Sequence, residues 1–314
     1  MERALLVDPL SPRTHYVRAQ VLAETPVQRE KMFIEALKVD PNFYPTLAKV
    51  GKFRAMMHGE FAESLQLLER AVASDPPQVW ARIYAMLVYL DVGDPDAALD
   101  VARPSPFAST NAKFLLLVYS GKAREADQGA SVGIDLHEDY PDEFGEQEAM
   151  RDAAMNSGDY RRLIKVYGME HRLAHPDEPW GVEAINLRAF PTMAHAYRLT
   201  GHPAVADSIL AAVTVWMDAN QAELGAANLR TRAAVYALQG KREAALQALA
   251  AGFRSGYRYR WWYTVSQDPI FEPLRADPAF QAIAQEAREH AAKQRALLEE
   301  MRKRGEVPVR PTKS

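Results

Sequence analysis

The feature that most constrains this 314-residue chain is a recurrent stop signal. An Asp-Pro step closes a helix-period run at Asp8, Asp40 and Asp75, at separations of 32 and then 35 residues. The residues leading into it match: Ala-Leu-Leu-Val from Ala4, Ala-Leu-Lys-Val from Ala36 and Ala-Val-Ala-Ser from Ala71. Proline lacks the amide proton that a helix interior needs, and its ring disfavours helical backbone at the residue before it, so each pair ends a helix. Between two such stops, residues 41–76 hold two helix-period runs joined at Gly59-Glu-Phe. A hairpin of that size has an apolar face on either side and too little mass to cover both, so it implies neighbours of the same kind.

A second marker extends the pattern. Gly59, Gly93, Gly121, Gly158, Gly201 and Gly240 each follow one apolar helical run and precede another, and glycine supplies the backbone freedom that reversal between antiparallel helices requires. Five residues beyond them stand Ser64, Ala98, Ala126, Leu163, Ala206 and Ala245, mostly the small side chain that a close helix crossing selects. The hinges lie 34, 28, 37, 43 and 39 residues apart, so the later units are irregular and the helices around Trp216 are expected to be long. An irregular helical bundle would share the helical period but not this punctuation.

These residues resemble the tetratricopeptide repeat family over most of residues 4–255. Gly59-Glu-Phe, Gly158-Asp-Tyr, Ala36, Ala71 and the Asp-Pro ends stand nearest to its pattern. Two places depart from it: Glu24-Thr-Pro-Val replaces the hinge glycine of the first hairpin, and residues 104–141 are short and polar. The resemblance implies an all-α fold, a right-handed superhelical solenoid of antiparallel helix pairs. It would hold about six to seven hairpins over residues 1–255, the first of them truncated.

After Gly252 the pattern changes. Arg254, Arg258 and Arg260 interleave with Tyr257, Tyr259, Trp261, Trp262 and Tyr263, and the place of this stretch after the last hairpin favours packing over base stacking. A long helix is predicted from Pro278 to Arg304, with Phe280, Ile283, Ala287, Leu298 and Met301 near one face. Its first half should cap the array. Its second half, from Lys293 and interrupted at Gln294, is expected to project into solvent or to form a homodimer contact short of a sustained coiled coil. Residues 256–304 thus read as aromatic linker and capping helix, and 305–314 as a disordered tail. This ending also resembles the one that follows the last repeat in bacterial repeat-containing regulators. That resemblance implies a sensing region with a winged-helix or other signalling domain upstream, and the half-unit at residues 4–9 is the start expected of such a region.

Composition narrows the function classes. Hydrophobic residues at 48% with 25% charged describe a folded soluble chain. A formal charge of -3 offers no global attraction to nucleic acid or anionic lipid. With no cysteine there is no thiolate metal site and no cysteine nucleophile. No apolar run approaches the ~20 residues of a membrane span, and the start lacks a signal-peptide pattern. The expected location is the cytoplasm, or the periplasm within a longer membrane-anchored regulator. No nucleophile elbow, phosphate-binding glycine loop or dinucleotide fingerprint occurs, so no enzyme and no cofactor are expected. His171 and His175 share a helix face at metal-ligand spacing, but Arg172 occupies the place of the glutamate in helical zinc hydrolases, and His175 precedes Pro176 at a helix end. No metal is expected; a metalloprotein or enzyme at this pair is one alternative reading, and nucleic-acid binding through residues 254–263 is the other. The acidic run from Asp135 to Glu148 lacks the alternation of a calcium loop.

In the resembling family the first helix of each hairpin lines a concave groove. Carried over from the hinge glycines, Trp80, Tyr84, Arg188, His195, Arg198 and Arg230 should face it, with Glu148 and Asp152 as an acidic zone midway. The family's Lys and Asn peptide clamp has no match in this sequence. The expectation is a non-enzymatic scaffold that takes a protein or peptide partner in the groove, with no nucleic acid and no membrane segment.

Overall fold

Every regular element among the described residues is a helix. The computed structural model describes residues 11–23, 26–74, 79–122, 124–126, 144–165, 182, 187–220 and 226–308. The helices are α1 (Pro12–Leu22), α2 (Pro26–Val39), α3 (Tyr44–Phe53), α4 (Phe61–Ser74), α5 (Val79–Asp91), α6 (Pro95–Ala102) and α7 (Pro106–Tyr119). They continue as α8 (Phe144–Ser157), α9 (Ala189–Leu199), α10 (Pro203–Ala219), α11 (Ala226–Leu238), α12 (Arg242–Arg254), α13 (Trp261–Ser266) and α14 (Pro278–Lys303), with a 3-10 segment at Pro269–Leu274 before the last. Two units share them. The first holds Met1–Ala112, Gly256–Arg260 and Arg288–Ser314; the second holds Lys113–Ser255 and Trp261–Ala287.

In the first unit α1 pairs with α2, α3 with α4 and α5 with α6; α2 also packs on α3, and α4 on α5. In the second unit α9 pairs with α10 and α11 with α12, and α9 and α10 both pack on α11. This succession of helix pairs, with α2 resting on α3, α4 on α5 and α10 on α11, makes the fold all-α and tetratricopeptide-like.

The punctuation does what its chemistry predicts. The backbone of all six hinge glycines is left-handed, with φ from 67° at Gly59 to 89° at Gly158. All six residues five positions further on are buried. At the α3–α4 crossing the approach is so close that a Cβ on Gly51 would lie 2.8 Å from Leu68 Cγ, and Ser64 Oγ donates to the Gly51 carbonyl at 2.7 Å. A Cβ on Gly59 would meet the Gly256 carbonyl at 3.0 Å, so this hinge needs glycine for space as well as for φ. Asp40 ends α2 with its carboxylate accepting from the Asn42 amide at 2.9 Å. Asp8, Asp75 and the half-unit at residues 4–9 lie outside the described residues.

The closing stretch packs, as its position predicts. Tyr257 and Tyr259 are buried in the first unit, and Trp262 and Tyr263 in the second. In the second unit the first turns of α14 cap the hairpins: Phe280, Ile283, Ala284 and Ala287 join Leu249, Phe253 and Phe271 in one core.

The second half of α14 corrects an expectation. It does not project into solvent: within the first unit Leu298 and Met301 are buried. His290 Nε2–H donates to the Gly59 carbonyl at 2.6 Å, at the hinge closing the π-helical turn Arg54–His58 that continues α3, and Arg295 donates to the Gly93 carbonyl at 2.9 Å, at the hinge after α5. Gln294, read from sequence as a break in the apolar stripe, accepts the first-turn amide of Ala62 in α4 at 2.9 Å, one of the donors a helix start leaves over. Arg302 donates to Tyr89 Oη at 3.1 Å, and that hydroxyl donates to the buried Glu69 at 2.6 Å. The apolar stripe expected to serve a homodimer is therefore covered within the first unit. Val307 is buried too, and Gln66 donates to the Glu306 carbonyl, so the tail is held at least to Pro308.

Candidate functional site

Two surfaces gather the residues picked from the sequence, one in each unit. In the first unit Trp80 and Tyr84 lie one turn apart on α5, with ring centroids 6.4 Å apart and planes inclined by 35°. From the neighbouring first helix α3, Lys49 and Lys52 place their Nζ atoms 5.9 and 5.0 Å from the Tyr84 centroid. All four side chains are half-exposed. The ring quadrupole attracts each ammonium by about 0.5–1 kcal/mol at such a site, enough to orient the lysines without hiding them. Sequence reasoning found the two aromatics and missed the two lysines. The signal was present: Lys49 precedes Tyr84 by 35 residues, the separation of the stops at Asp40 and Asp75.

In the second unit the equivalent chemistry is turned inward. Arg151 donates to Asp152 Oδ1 from Nε at 2.9 Å and from the guanidinium tip at 2.7 Å, and it lies over the Tyr263 ring at 5.9 Å. Asn156 donates to the Tyr263 hydroxyl at 3.1 Å. Arg230 reaches Thr264 Oγ1 at 2.8 Å and Asp268 Oδ2 at 3.0 Å, while Asp268 Oδ1 accepts the Ile270 amide and so caps the 3-10 segment. Arg151, Arg188, Arg230, Thr192, Tyr263 and Asp268 line a cavity of ≈ 20 Å³, room for a single water and no ligand. Asp152 is 0% exposed, which moves it from the expected acidic zone of a groove into the packed wall. Arg188, half-exposed, lines the same wall.

The remaining candidates scatter. His195 stands edge-on to Tyr160 at 5.8 Å, and burial lowers its pKa, opposed by Asp268 and Glu272 and assisted by Arg198. Arg198 pairs with Asp207 at 2.6 Å and bonds the Leu238 carbonyl, at the side of a recess of ≈ 530 Å³ lined also by Leu210 and Gln239. Glu148 belongs to α8, but its side chain lies outside the described residues, as do His171, His175 and the acidic run from Asp135 to Glu143. Among the described residues no group of three His, Asp or Glu is placed to hold a metal ion, and no helix is long and apolar enough to cross a membrane.

No family model matches the sequence, and no curated protein matches it. Among solved structures, a tetratricopeptide repeat protein from Parabacteroides merdae is 14% identical, covering 84% of this chain and 91% of that one, with a TM-score of 0.42. The P58(IPK) TPR domain is 13% identical, covering 96% of this chain and 92% of that domain, with a TM-score of 0.20. Superpositions this loose carry no conclusion about function. The tetratricopeptide character described above rests on the chain's own hairpins, hinges and crossings.

Proposed function

We propose that the chain is a non-enzymatic repeat scaffold that holds a protein or peptide segment along its first helices, as the sensing or interaction region of a bacterial cytoplasmic regulator. The observation that supports this reading is the run of half-exposed Lys49, Lys52, Trp80 and Tyr84 across two adjacent first helices. Rigid aromatic side chains give large contact area at low entropic cost, and the lysines add directional charge. In the second unit Arg188 is the candidate contact, while Asp152 and Arg230 act as bracing. Burial of Tyr257, Tyr259, Trp262 and Tyr263 removes the faces on which bases would stack, which weighs against the nucleic-acid alternative.

A photo-crosslinking residue placed at Tyr84 in cells tests the scaffold reading, with Leu199, 52% exposed in the second unit, as the control position. Discrete protein adducts from position 84 and none from position 199 are expected; an absence of adducts at 84 counts against it. The regulator role is tested by the coding sequence immediately upstream, where an in-frame winged-helix domain is expected. A free-standing adaptor would be the reading if none is found.

A further inference from the structure

We infer that α10 of the second unit joins two copies of this chain, packed antiparallel about a two-fold axis level with Val213. One face of this 17-residue helix lies in the core: Ala206, Ile209, Leu210, Val213 and Met217 are buried there, packed with Phe190, Met193 and Val235. On the opposite face Ala204, Ser208, Ala211, Val215 and Ala219 are exposed, at steps of four, three, four and four residues that keep them in one row. None of the five carries a charge. A surface helix ordinarily turns charged residues to water, and other second helices of the chain do so: Lys31, Glu35 and Lys38 are exposed on α2, Asp96 and Asp100 on α6, and Arg242, Glu243 and Arg254 on α12. In the register of the hinge glycines Ala204, Ser208 and Val215 stand where α12 has Glu243, Gln247 and Arg254.

A second copy is the occupant that fits, because projection and hollow lie on the same helix one turn apart. Val215 projects at 70% exposure. Beside Ala211 opens the recess of ≈ 530 Å³, walled by Leu210, Ala211, Leu238 and Gln239. A two-fold interface sets residue i against j and j against i, so an axis level with Val213 seats Val215 of each copy in the recess beside the partner's Ala211. A foreign helix would need only one of the two features. The flanking charges permit the approach. Asp207 is held by Arg198 at 2.6 Å and Asp218 by Arg232 at 2.8 Å. Where Asp207 comes level with the partner's Asp218, two ion pairs therefore meet instead of two bare carboxylates, and each aspartate gains a second arginine across the axis. A helix of this length spans about 25 Å. One such crossing buries less than the ~1,200 Å² of a standard interface, so dissociation is expected at concentrations on the order of micromolar.

Analytical ultracentrifugation of the full chain across the micromolar range should show a monomer–dimer equilibrium. Val215→Glu should raise its dissociation constant about tenfold or more while helicity is kept, since the side chain is exposed. If helicity falls, Val215→Ser decides the matter, with a smaller weakening on an intact fold. The register is read by crosslinking, because the chain has no cysteine of its own. Chains carrying Ala211→Cys mixed with chains carrying Val215→Cys should join under mild oxidation faster than either variant alone. A chain that stays monomeric throughout, a dimer indifferent to both substitutions of Val215, or a mixture that joins no faster than the single variants overturns the inference. A photo-crosslinking residue at position 215 in cells should give adducts of the chain with itself; adducts with a different protein alone overturn it in favour of a foreign partner.

Discussion

Tyr84 and Tyr263 each carry a cation over the ring, and the two units use that arrangement in opposite ways. Around Tyr84 the lysines come from a neighbouring first helix and the ring stays half-open to solvent. Around Tyr263, 1% exposed, the cation is Arg151, held by Asp152, and the ring is closed over. The difference is burial: Tyr263 and the Arg151–Asp152 pair are closed off from solvent, whereas Tyr84 and its two lysines stay partly open to it. A buried guanidinium requires a paired anion, so the second unit spends its polar residues on bracing, whereas the first unit gathers its ammoniums on a ring that is not fully buried.

The largest effect that would sharpen this contrast is expected from Asp268→Ala. It leaves Arg230 without its anion and the 3-10 segment without its cap, and should cost about 3–5 kcal/mol in denaturant titration. An unchanged midpoint would remove the bracing role from the second unit. Tyr84→Ala should cost less, about 1–2 kcal/mol, because a partly open ring loses two cation–ring contacts and its tilted contact with Trp80, while peptide capture collapses. A stability loss comparable to that of Asp268→Ala would break the contrast from the other side.

Between these lies a comparison of hinges. Gly240→Ala meets open space and should cost about 1–2 kcal/mol of left-handed backbone strain. Gly59→Ala carries the same strain and also drives a methyl group toward the Gly256 carbonyl, so its melting temperature should fall further.

The smallest effect is a pH dependence. Burial holds His290 below the ordinary histidine value; its bond to Gly59 opposes this, Arg258 and Lys293 reinforce it, and Glu63 opposes it weakly. The unfolded chain therefore binds this proton more readily than the folded one. Stability from this source is complete above about pH 6.5 and is lost as the pH falls through the lower folded value. His195 in the second unit, lowered chiefly by burial, acts in the same direction. Melting curves at about pH 7.5 and 5.5 should show a drop in the wild type that His290→Gln makes shallower without abolishing it.

What was legible in the sequence follows the range of the physics involved. The hinge glycines and the small residues five positions beyond them are local requirements of backbone and crossing distance, and the structure has each one where the spacing places it. Arg230 was read as a groove residue because its anion, Asp268, lies 38 positions away. The second half of α14 was read as solvated because Ala62, Gly93 and Tyr89 lie 232, 202 and 213 positions from their partners in it. Polar side chains at helical spacing look alike whether they face water or a distant carbonyl. Lys49 fell between these cases, since only its repeat-length distance from Tyr84 marks it.

The bond from Arg295 to the Gly93 carbonyl also sets an order of events during synthesis. The first three hairpins leave the ribosome early, but the helix that meets the carbonyls of Gly59 and Gly93 and the amide of Ala62 is made 202 to 232 residues later. At ~5–20 residues per second, the 202 residues that separate the two partners take about 10–40 s to appear. For that interval the nascent first unit carries an uncovered edge, and its folding finishes only after α14 has emerged.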